Sequence, residues 1–457
     1  MMNIEKIMNA QREYFNLGET KDINFRIEML KKLKISIVKN EDKIYEALSN
    51  DLNKSRVESY ISEINVVLKE LDKTIKNVMK WSKKKQVKTP ISLIFSKSYI
   101  VCEPYGSVLI ISPWNYPFLL TLQPLIGAIA AGNTVVIKPS DYSSNVSLVI
   151  YKIISEVFCD KYVSVVLGSR DEISDLLLQK FDYIFFTGST QVGKLVMQKA
   201  AENLTPVTLE LGGKSPCIVD RTANLKLSAK KIIFGKLLNA GQTCIAPDYI
   251  FVHSSIKEKF IEYLKNNIID MLGNDPISNE NYPKIINKKH FDRLNLLIED
   301  QNVVFGGKSS IKTNKIEPTI LDNIDFENKI MKEEIFGPIL PIITYDELSQ
   351  TEEYINSNSK PLALYLFTND KKVEKRILKN VSFGGGCIND TIMHIANSNL
   401  PFGGVGESGM GQYHGEYTFH TFTHFKAIVK KYNFLDINLR YMPYTKIKFN
   451  ILKRILK

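Results

Sequence analysis

Gly106–Ile137 reads GSVLIISPWNYPFLLTLQPLIGAIAAGNTVVI. A β-branched run (Ser107–Ile111) is followed by a loop stiffened by Pro113 and Pro117, an apolar helical stretch (Phe118–Ala131) and a second β-branched run (Thr134–Ile137). The alternation continues with Val146–Phe158 as helix, Val163–Leu167 as strand, Glu172–Lys180 as helix, Tyr183–Phe186 as strand and Val192–Asn203 as helix. Pro206–Leu211 closes the series as a strand. Five strands alternating with four helical stretches predict a parallel sheet wound on both faces, the architecture that binds dinucleotides at the carboxyl ends of its strands.

Working outward, residues 1–80 read as helices. Tyr60, Ile64, Val67, Leu68, Leu71, Ile75 and Val78 recur at helical spacing, with Lys69, Glu70, Asp72, Lys73 and Lys76 on the other face, which predicts a packing layer. Trp81–Lys88 is basic, and Thr89–Val101 alternates loosely as an extended excursion or hairpin. On the other side a second alternating region runs from Pro216 to about Asn389. The expected class is therefore α/β, with a Rossmann-type doubly wound cofactor domain (1–84 and 104–210) and an α/β catalytic domain (211–400). Residues 85–103 and 401–433 are bridging segments, and 434–457 form a basic amphipathic tail.

A chain of 457 residues is too long for one ordinary core. Its 44% hydrophobic and 24% charged residues are a soluble, globular balance. No apolar run reaches the roughly 18 to 20 residues of a membrane span, and the polar N-terminus shows no signal peptide, so a cytoplasmic protein is expected. Five cysteines, an odd number without a CxxC pair, fit reduced thiols. Six scattered histidines predict no metal site. The net charge of +11 is spread along the chain rather than gathered in one arm, which favours a solvated lysine-rich surface over a nucleic-acid partner.

One cysteine has a setting unlike the others. In FGKLLNAGQTCIAP (Phe234–Pro247), Gly241, Gln242 and Thr243 lead into Cys244, and Ile245, Ala246 and Pro247 follow. A turn-prone approach and a Pro-terminated exit would hold a thiol at a fixed spot. In LELGGKSP (Leu209–Pro216), Glu210 sits at the end of an apolar run just before two glycines. A nucleophile and a base on separate segments is the arrangement covalent catalysis needs. The crossover between the two alternating regions places both in a cleft between domains.

These stretches resemble the NAD(P)-dependent aldehyde dehydrogenase superfamily, and GQTCIAPDY resembles its class 3 branch of fatty and aromatic aldehyde dehydrogenases. PWNYP (Pro113–Pro117), KPS (Lys138–Ser140), FTGSTQVG (Phe186–Gly193), EEIFGP (Glu333–Pro338) and PFGGVGESGMG (Pro401–Gly411) match in the same order, so the resemblance covers nearly the whole chain. It implies that Cys244 is the nucleophile, Glu210 the base that activates water, and Asn115 the side-chain half of an oxyanion hole completed by the Cys244 N–H. Read from residues alone, Asn115 is a structural turn residue. The resemblance also implies NAD or NADP, with Lys138 at the adenosine ribose and Gly188, Ser189 and Gly193 near the pyrophosphate and nicotinamide. Glu334 and Phe336 would meet the nicotinamide ribose and ring, and the bridging segments 85–103 and 401–433 would take an oligomerisation role. Glycines five apart are by themselves a tight βα turn and no G-x-G-x-x-G fingerprint. Asp141 stands where many relatives have Glu; a carboxylate there accepts from a ribose 2′-hydroxyl and repels a 2′-phosphate, and the shorter Asp leaves the cofactor choice open.

His394 is a candidate for the wall of the substrate funnel, with a satisfied core or surface histidine as the plainer reading. In Thr445–Lys457, Ile447, Ile451, Leu452, Ile455 and Leu456 share a helical stripe amid lysines, as in a membrane-surface helix or one docked on the protein itself. The expected activity is oxidation of medium- or long-chain aliphatic or aromatic aldehydes to acids by a homodimer, with at most peripheral membrane contact. The rivals are a CoA-acylating dehydrogenase, disfavoured by the presence of Glu210, and a catalytically silent binding protein, disfavoured by the presence of both Cys244 and Glu210.

Overall fold

A computed structural model describes residues 4–455. Ser107–Ile111 is the central strand of a six-stranded sheet, pairing in parallel with Thr134–Lys138 on one side and Tyr183–Thr187 on the other. Val163–Val165 extends the sheet beyond the former and Val207–Glu210 beyond the latter, and Gly409–Met410 adds an antiparallel edge. Val108 and Ile110 join the main core while Leu109 and Ile111 pack into a second cluster, so each face of the strand meets its own apolar layer. Burial on both sides is why these strands read as unbroken apolar runs. The chain moves outward from the central strand to Thr134–Lys138 and Val163–Val165, then returns across it to Tyr183–Thr187. The loops after Ser107–Ile111 and Tyr183–Thr187 therefore diverge and open a crevice at the switch point.

The second sheet has seven strands, in spatial order Val303–Phe305, Thr319–Leu321, Ile339–Tyr345, Tyr249–His253, Pro216–Val219, Ala363–Phe367 and Gly385–Ile388. All pairs are parallel except the one at Val303–Phe305. Glu210 ends a strand of the first sheet and Pro216 begins one of the second, while Cys244 shortly precedes Tyr249. The carboxyl edge of one sheet thus faces the amino edge of the other.

A third, antiparallel sheet joins Lys85–Val87, Ser96–Pro104 and Thr423–Lys431, with an unbroken register from Pro104↔Thr423 to Ser96↔Lys431. The segment before Thr423 returns to the first sheet: Gly409–Met410 pairs with Val207–Glu210, and helix Glu416–Thr421 packs on the wholly buried helix Leu119–Ala131.

Two expectations need correction. Lys138 is the last residue of its strand rather than the first of the loop. The layer read as continuous helix is interrupted by a π-helical turn, Tyr60–Ile64, between Arg56–Ser59 and Asn65–Trp81. The tail forms a helix, Lys446–Ile455, with no buried residue, so the docked arrangement is not what the fold shows. Leu456 and Lys457, also assigned to its stripe, lie outside the described residues. No helix among the described residues is long and apolar enough to cross a membrane.

Candidate active site

Glu210 is the last residue of its strand, in register with Thr187 on one neighbour and Gly409 on the other. Its carboxyl is buried, and neither oxygen has a hydrogen-bond partner. Burial pushes its pKa well above the ordinary carboxylate value. A buried carboxyl without partners is costly, and such cost is found where chemistry uses the group.

Cys244 faces the same cavity of about 250 Å³. Helix Leu225–Leu237 ends in a tight turn, Leu238–Gly241, in which Asn239 and Ala240 both adopt φ of 51° and Gly241 φ of 74°. Gly241 is required, because a Cβ there would meet the Gly337 carbonyl oxygen at 2.3 Å. Gln242 locks the turn: its amide donates to the carbonyls of Asn239 (2.9 Å) and Lys284 (3.0 Å) and accepts from the Ile286 N–H (3.0 Å). The thiol is partly accessible. Burial first, then Glu334 and Glu210, holds its pKa well above the ordinary value, while the N–H groups of Cys244 and Ile245 favour the thiolate.

Asn115 is buried on the loop after the central strand and donates from Nδ2 to the Gln242 carbonyl at 3.1 Å, two residues before Cys244. The second N–H of that amide remains for another acceptor. Tyr116 bonds the Thr243 hydroxyl through its own at 2.7 Å, tying the two loops together again. The cavity wall is mostly apolar, with Leu119, Phe234, Leu238, Met393 and Phe402 among its residues; Tyr116 lines it and Asn115 lies just behind it.

Glu334 packs so closely on Gly212 that a Cβ there would lie 2.0 Å from its Oε2. Burial, then Asp248, raises its pKa to about 8. Phe336, at a φ of 51°, stands edge-on to Trp114 at 5.4 Å; Trp114 contacts His290 at 5.2 Å and His290 contacts Tyr142 at 6.4 Å. This run of rings joins the two predicted ends of a dinucleotide, Phe336 at one and Asp141 with Lys138 at the other. Lys138 is buried, with its ammonium donating to the carbonyls of Pro139 and Gly168, each at 2.8 Å. Asp141 is exposed at the start of a 3₁₀ turn.

Ser189 is the N-cap of the twelve-residue helix Thr190–Ala201, and its side chain makes no capping bond. The first-turn N–H groups are thus free of a side-chain acceptor, as an incoming phosphate requires. Gly188 precedes it at the strand's carboxyl end, its N–H bonded to the Glu210 carbonyl at 3.0 Å. Gly193 serves packing: its N–H is spent on the Ser189 carbonyl, and a Cβ would lie 2.6 Å from Leu211 Cδ2. These residues fit a dinucleotide. Among the described residues no cluster of three or more His, Cys, Asp or Glu is placed to hold a metal.

His394 does not face the cavity, although its neighbours Met393, Ile395 and Ala396 line it. Its Nδ1 lies 3.5 Å from Cys387 Sγ and its ring stacks on Phe402, with burial lowering its pKa to about 4. The sequence reading missed Tyr116 and His290 as site residues. Tyr116 lay inside the quoted PWNYP, but its partner Thr243 is 127 residues away, and nothing around His290 marks it.

A family model described as the aldehyde dehydrogenase family matches residues 1–428. The chain is 50% identical over 456 residues to a 4,4'-diaponeurosporen-aldehyde dehydrogenase of Staphylococcus aureus, covering 99% of both chains. It is 44% identical over 431 residues to the dimeric NADP-preferring aldehyde dehydrogenase of Rattus norvegicus, covering 94% of this chain and 95% of that one. Among solved structures, Staphylococcus aureus AldH in a substrate-bound state superposes with a TM-score of 0.98 at 50% identity, covering all of both chains. The betaine aldehyde dehydrogenase of Staphylococcus aureus in complex with NAD+ gives 0.85 at 26% identity, covering 95% of this chain and 88% of that one.

Proposed function

The chain belongs to the aldehyde dehydrogenase family, and from that membership we propose how its side chains divide the work. It oxidises aldehydes to carboxylic acids with NAD or NADP. Cys244 Sγ loses its proton to solvent and, as the thiolate, bonds to the carbonyl carbon, while the Asn115 amide and Cys244 N–H hold the oxygen as it becomes an oxyanion. The bound dinucleotide supplies the acceptor for the hydride. A thioester on Cys244 remains, and Glu210 takes a proton from the water that hydrolyses it, releasing the acid and the free thiol. Gly188, Ser189 and the first turn of Thr190–Ala201 are assigned to the pyrophosphate, Lys138 and Asp141 to the adenosine ribose, and Glu334 and Phe336 to the nicotinamide riboside. Gly193 is assigned to the packing that sets the helix in place.

The observation that supports this reading best is the unpartnered Glu210 carboxyl on the same cavity as Cys244. A group buried in that way has a raised pKa and can act near neutral pH. The apolar wall suits medium- or long-chain aliphatic or aromatic aldehydes, because a charged substrate would lose hydration without gaining a partner. Decanal with NAD and water as sole acceptor should yield NADH and decanoic acid in equal amounts; product released only on addition of CoA would establish the acylating rival instead.

We also propose a homodimer and a peripheral contact. Phe425 and Val429, exposed on the antiparallel sheet, would be covered in a dimer. In the tail helix Ile447, Phe449 and Ile451 are exposed beside Lys446, Lys448, Lys453 and Arg454, which suits an anionic membrane surface. The cysteine pattern supports a cytoplasmic location. Deleting residues 445–457 should reduce pelleting with phosphatidylserine vesicles, and unchanged pelleting would remove the tail from that role.

A further inference from the structure

The Asn115 peptide is gripped from behind by a charge that the chemistry above does not use. Lys54 lies between helices Glu41–Leu52 and Arg56–Ser59, and neither its side chain nor that of Glu63 has any solvent exposure. Its ammonium donates to Glu63 Oε1 at 2.6 Å and to the Asn115 carbonyl at 3.0 Å, and stands 3.9 Å over the Tyr116 ring. The other oxygen of Glu63 accepts the N–H groups of Phe118 (2.9 Å) and Leu119 (3.2 Å), where helix Leu119–Ala131 begins. Glu58, also buried, accepts the Asn239 N–H at 2.7 Å, and the Asn239 amide reaches the same Asn115 carbonyl at 2.7 Å.

Burying an ammonium with carboxylates is a poor route to stability, since desolvation offsets the attraction. What such a cluster supplies is geometry. It ties the loop Pro113–Pro117 to the strained turn at Asn239 and Ala240, a backbone conformation that persists only where its surroundings impose it. Cys244 follows that turn directly.

We propose that Lys54 is a positioning residue for the oxyanion pocket: by fixing the Asn115 peptide, and with Glu63 and Glu58 bracing its loop against the one that bears Cys244, it sets the direction of the Asn115 amide relative to the Cys244 N–H. This rests on the assignment of Asn115 as oxyanion donor.

Removing Lys54 alone would strand Glu63, so the test variant is Lys54→Met with Glu63→Gln, which removes both charges and keeps the acceptor for Phe118. It is compared with Asn115→Ala and with the combination of all three changes. The readouts are kcat/KM for decanal, the dissociation constant of NAD by calorimetry, and the alkylation rate at Cys244. The charge-free variant should keep its NAD affinity and thiol reactivity while losing about ten- to hundredfold in kcat/KM. Asn115→Ala should lose about 10²- to 10³-fold. The combination should be no worse than Asn115→Ala to within about threefold, because both changes spoil one donor. Losses that multiply, or a charge-free variant at the wild-type rate, would overturn the positioning role alone. Asn115→Ala at the wild-type rate would overturn the oxyanion assignment and this proposal with it. Should the charge-free variant fail to fold, Lys54→Arg, which keeps the charge but displaces the donors, takes its place in the same cycle with the same outcomes.

Discussion

The crossover Leu211–Gly213 separates two cavities of similar size and opposite character. On the Leu211 side, about 250 Å³ is walled by apolar side chains, and Glu210 and Cys244 stand there without charged partners. On the Gly212 side, about 290 Å³ is lined by Lys194, Lys214, Glu334 and Glu407 with Asn358, Ser359 and Ser408. There the charges are mostly matched: Lys194 with Glu407 at 2.8 Å and Lys214 with Asp248 at 2.6 Å. The difference locates the chemistry. Paired charges are satisfied, whereas unpartnered groups in an apolar wall with raised pKa are placed to change protonation state during a reaction.

Replacing Cys244, the proposed nucleophile, should have the largest effect. Cys244→Ala is expected to abolish NAD(P)-dependent oxidation, while Cys102→Ala, Cys159→Ala, Cys217→Ala and Cys387→Ala keep most of it. Cys217 lies wholly buried in a strand, and Cys387 sits beside His394 and does not line the cavity that Cys244 and Glu210 share. Substantial turnover by Cys244→Ala would break the contrast at once.

The protonation state of the thiol can be read separately. With its pKa held above the ordinary range, the thiolate fraction grows about tenfold per pH unit. Iodoacetamide labelling of Cys244 in the free enzyme, followed by peptide mass, should therefore rise about a hundredfold from pH 7 to pH 9 without levelling. A plateau near neutral pH would show a thiolate already formed.

On the nucleotide side the effects should be smaller. If the Asp141 carboxylate accepts from the ribose 2′-hydroxyl, Asp141→Ala should shift the ratio of kcat/KM values toward NADP by about ten- to hundredfold at most. An unchanged ratio would remove Asp141 from cofactor choice. The smallest effect is expected in the polar cleft, where both members of the Lys194–Glu407 pair are more than half exposed. Lys194→Ala should change kcat/KM by less than about fivefold, and a larger loss would mean that the Lys194 charge itself takes part in catalysis or cofactor binding.

Much of this contrast was legible in the sequence because its causes are local. Strands buried on both faces must be apolar throughout, so Ser107–Ile111 and Thr134–Ile137 announced a wound parallel sheet, and the placement of Glu210 before two glycines announced the crossover. The cluster around Lys54 could not be read in that way. Lys54 and Glu63 look like ordinary polar positions on a helical layer, and only the fold brings Lys54 to the Asn115 carbonyl 61 residues on and Glu63 to the N–H of Phe118 55 residues on. The packing role of Gly193 likewise depends on Leu211, which lies outside its helix. For His394 the plainer reading, a packed histidine, is the one the fold agrees with: its neighbours line the cavity, while its ring lies against Cys387 and Phe402.

The most direct test of the division of work between Cys244 and Glu210 is the single-turnover behaviour of Glu210→Gln. Attack by the thiol precedes the step assigned to the carboxyl, so mixing this variant with decanal and NAD should give a burst of NADH near one equivalent per site. Steady turnover should then be slower than wild type by about 10²- to 10⁴-fold, with a decanoyl adduct on Cys244 in the intact mass. Wild-type turnover with water as sole acceptor, and no adduct, would contradict the assignment.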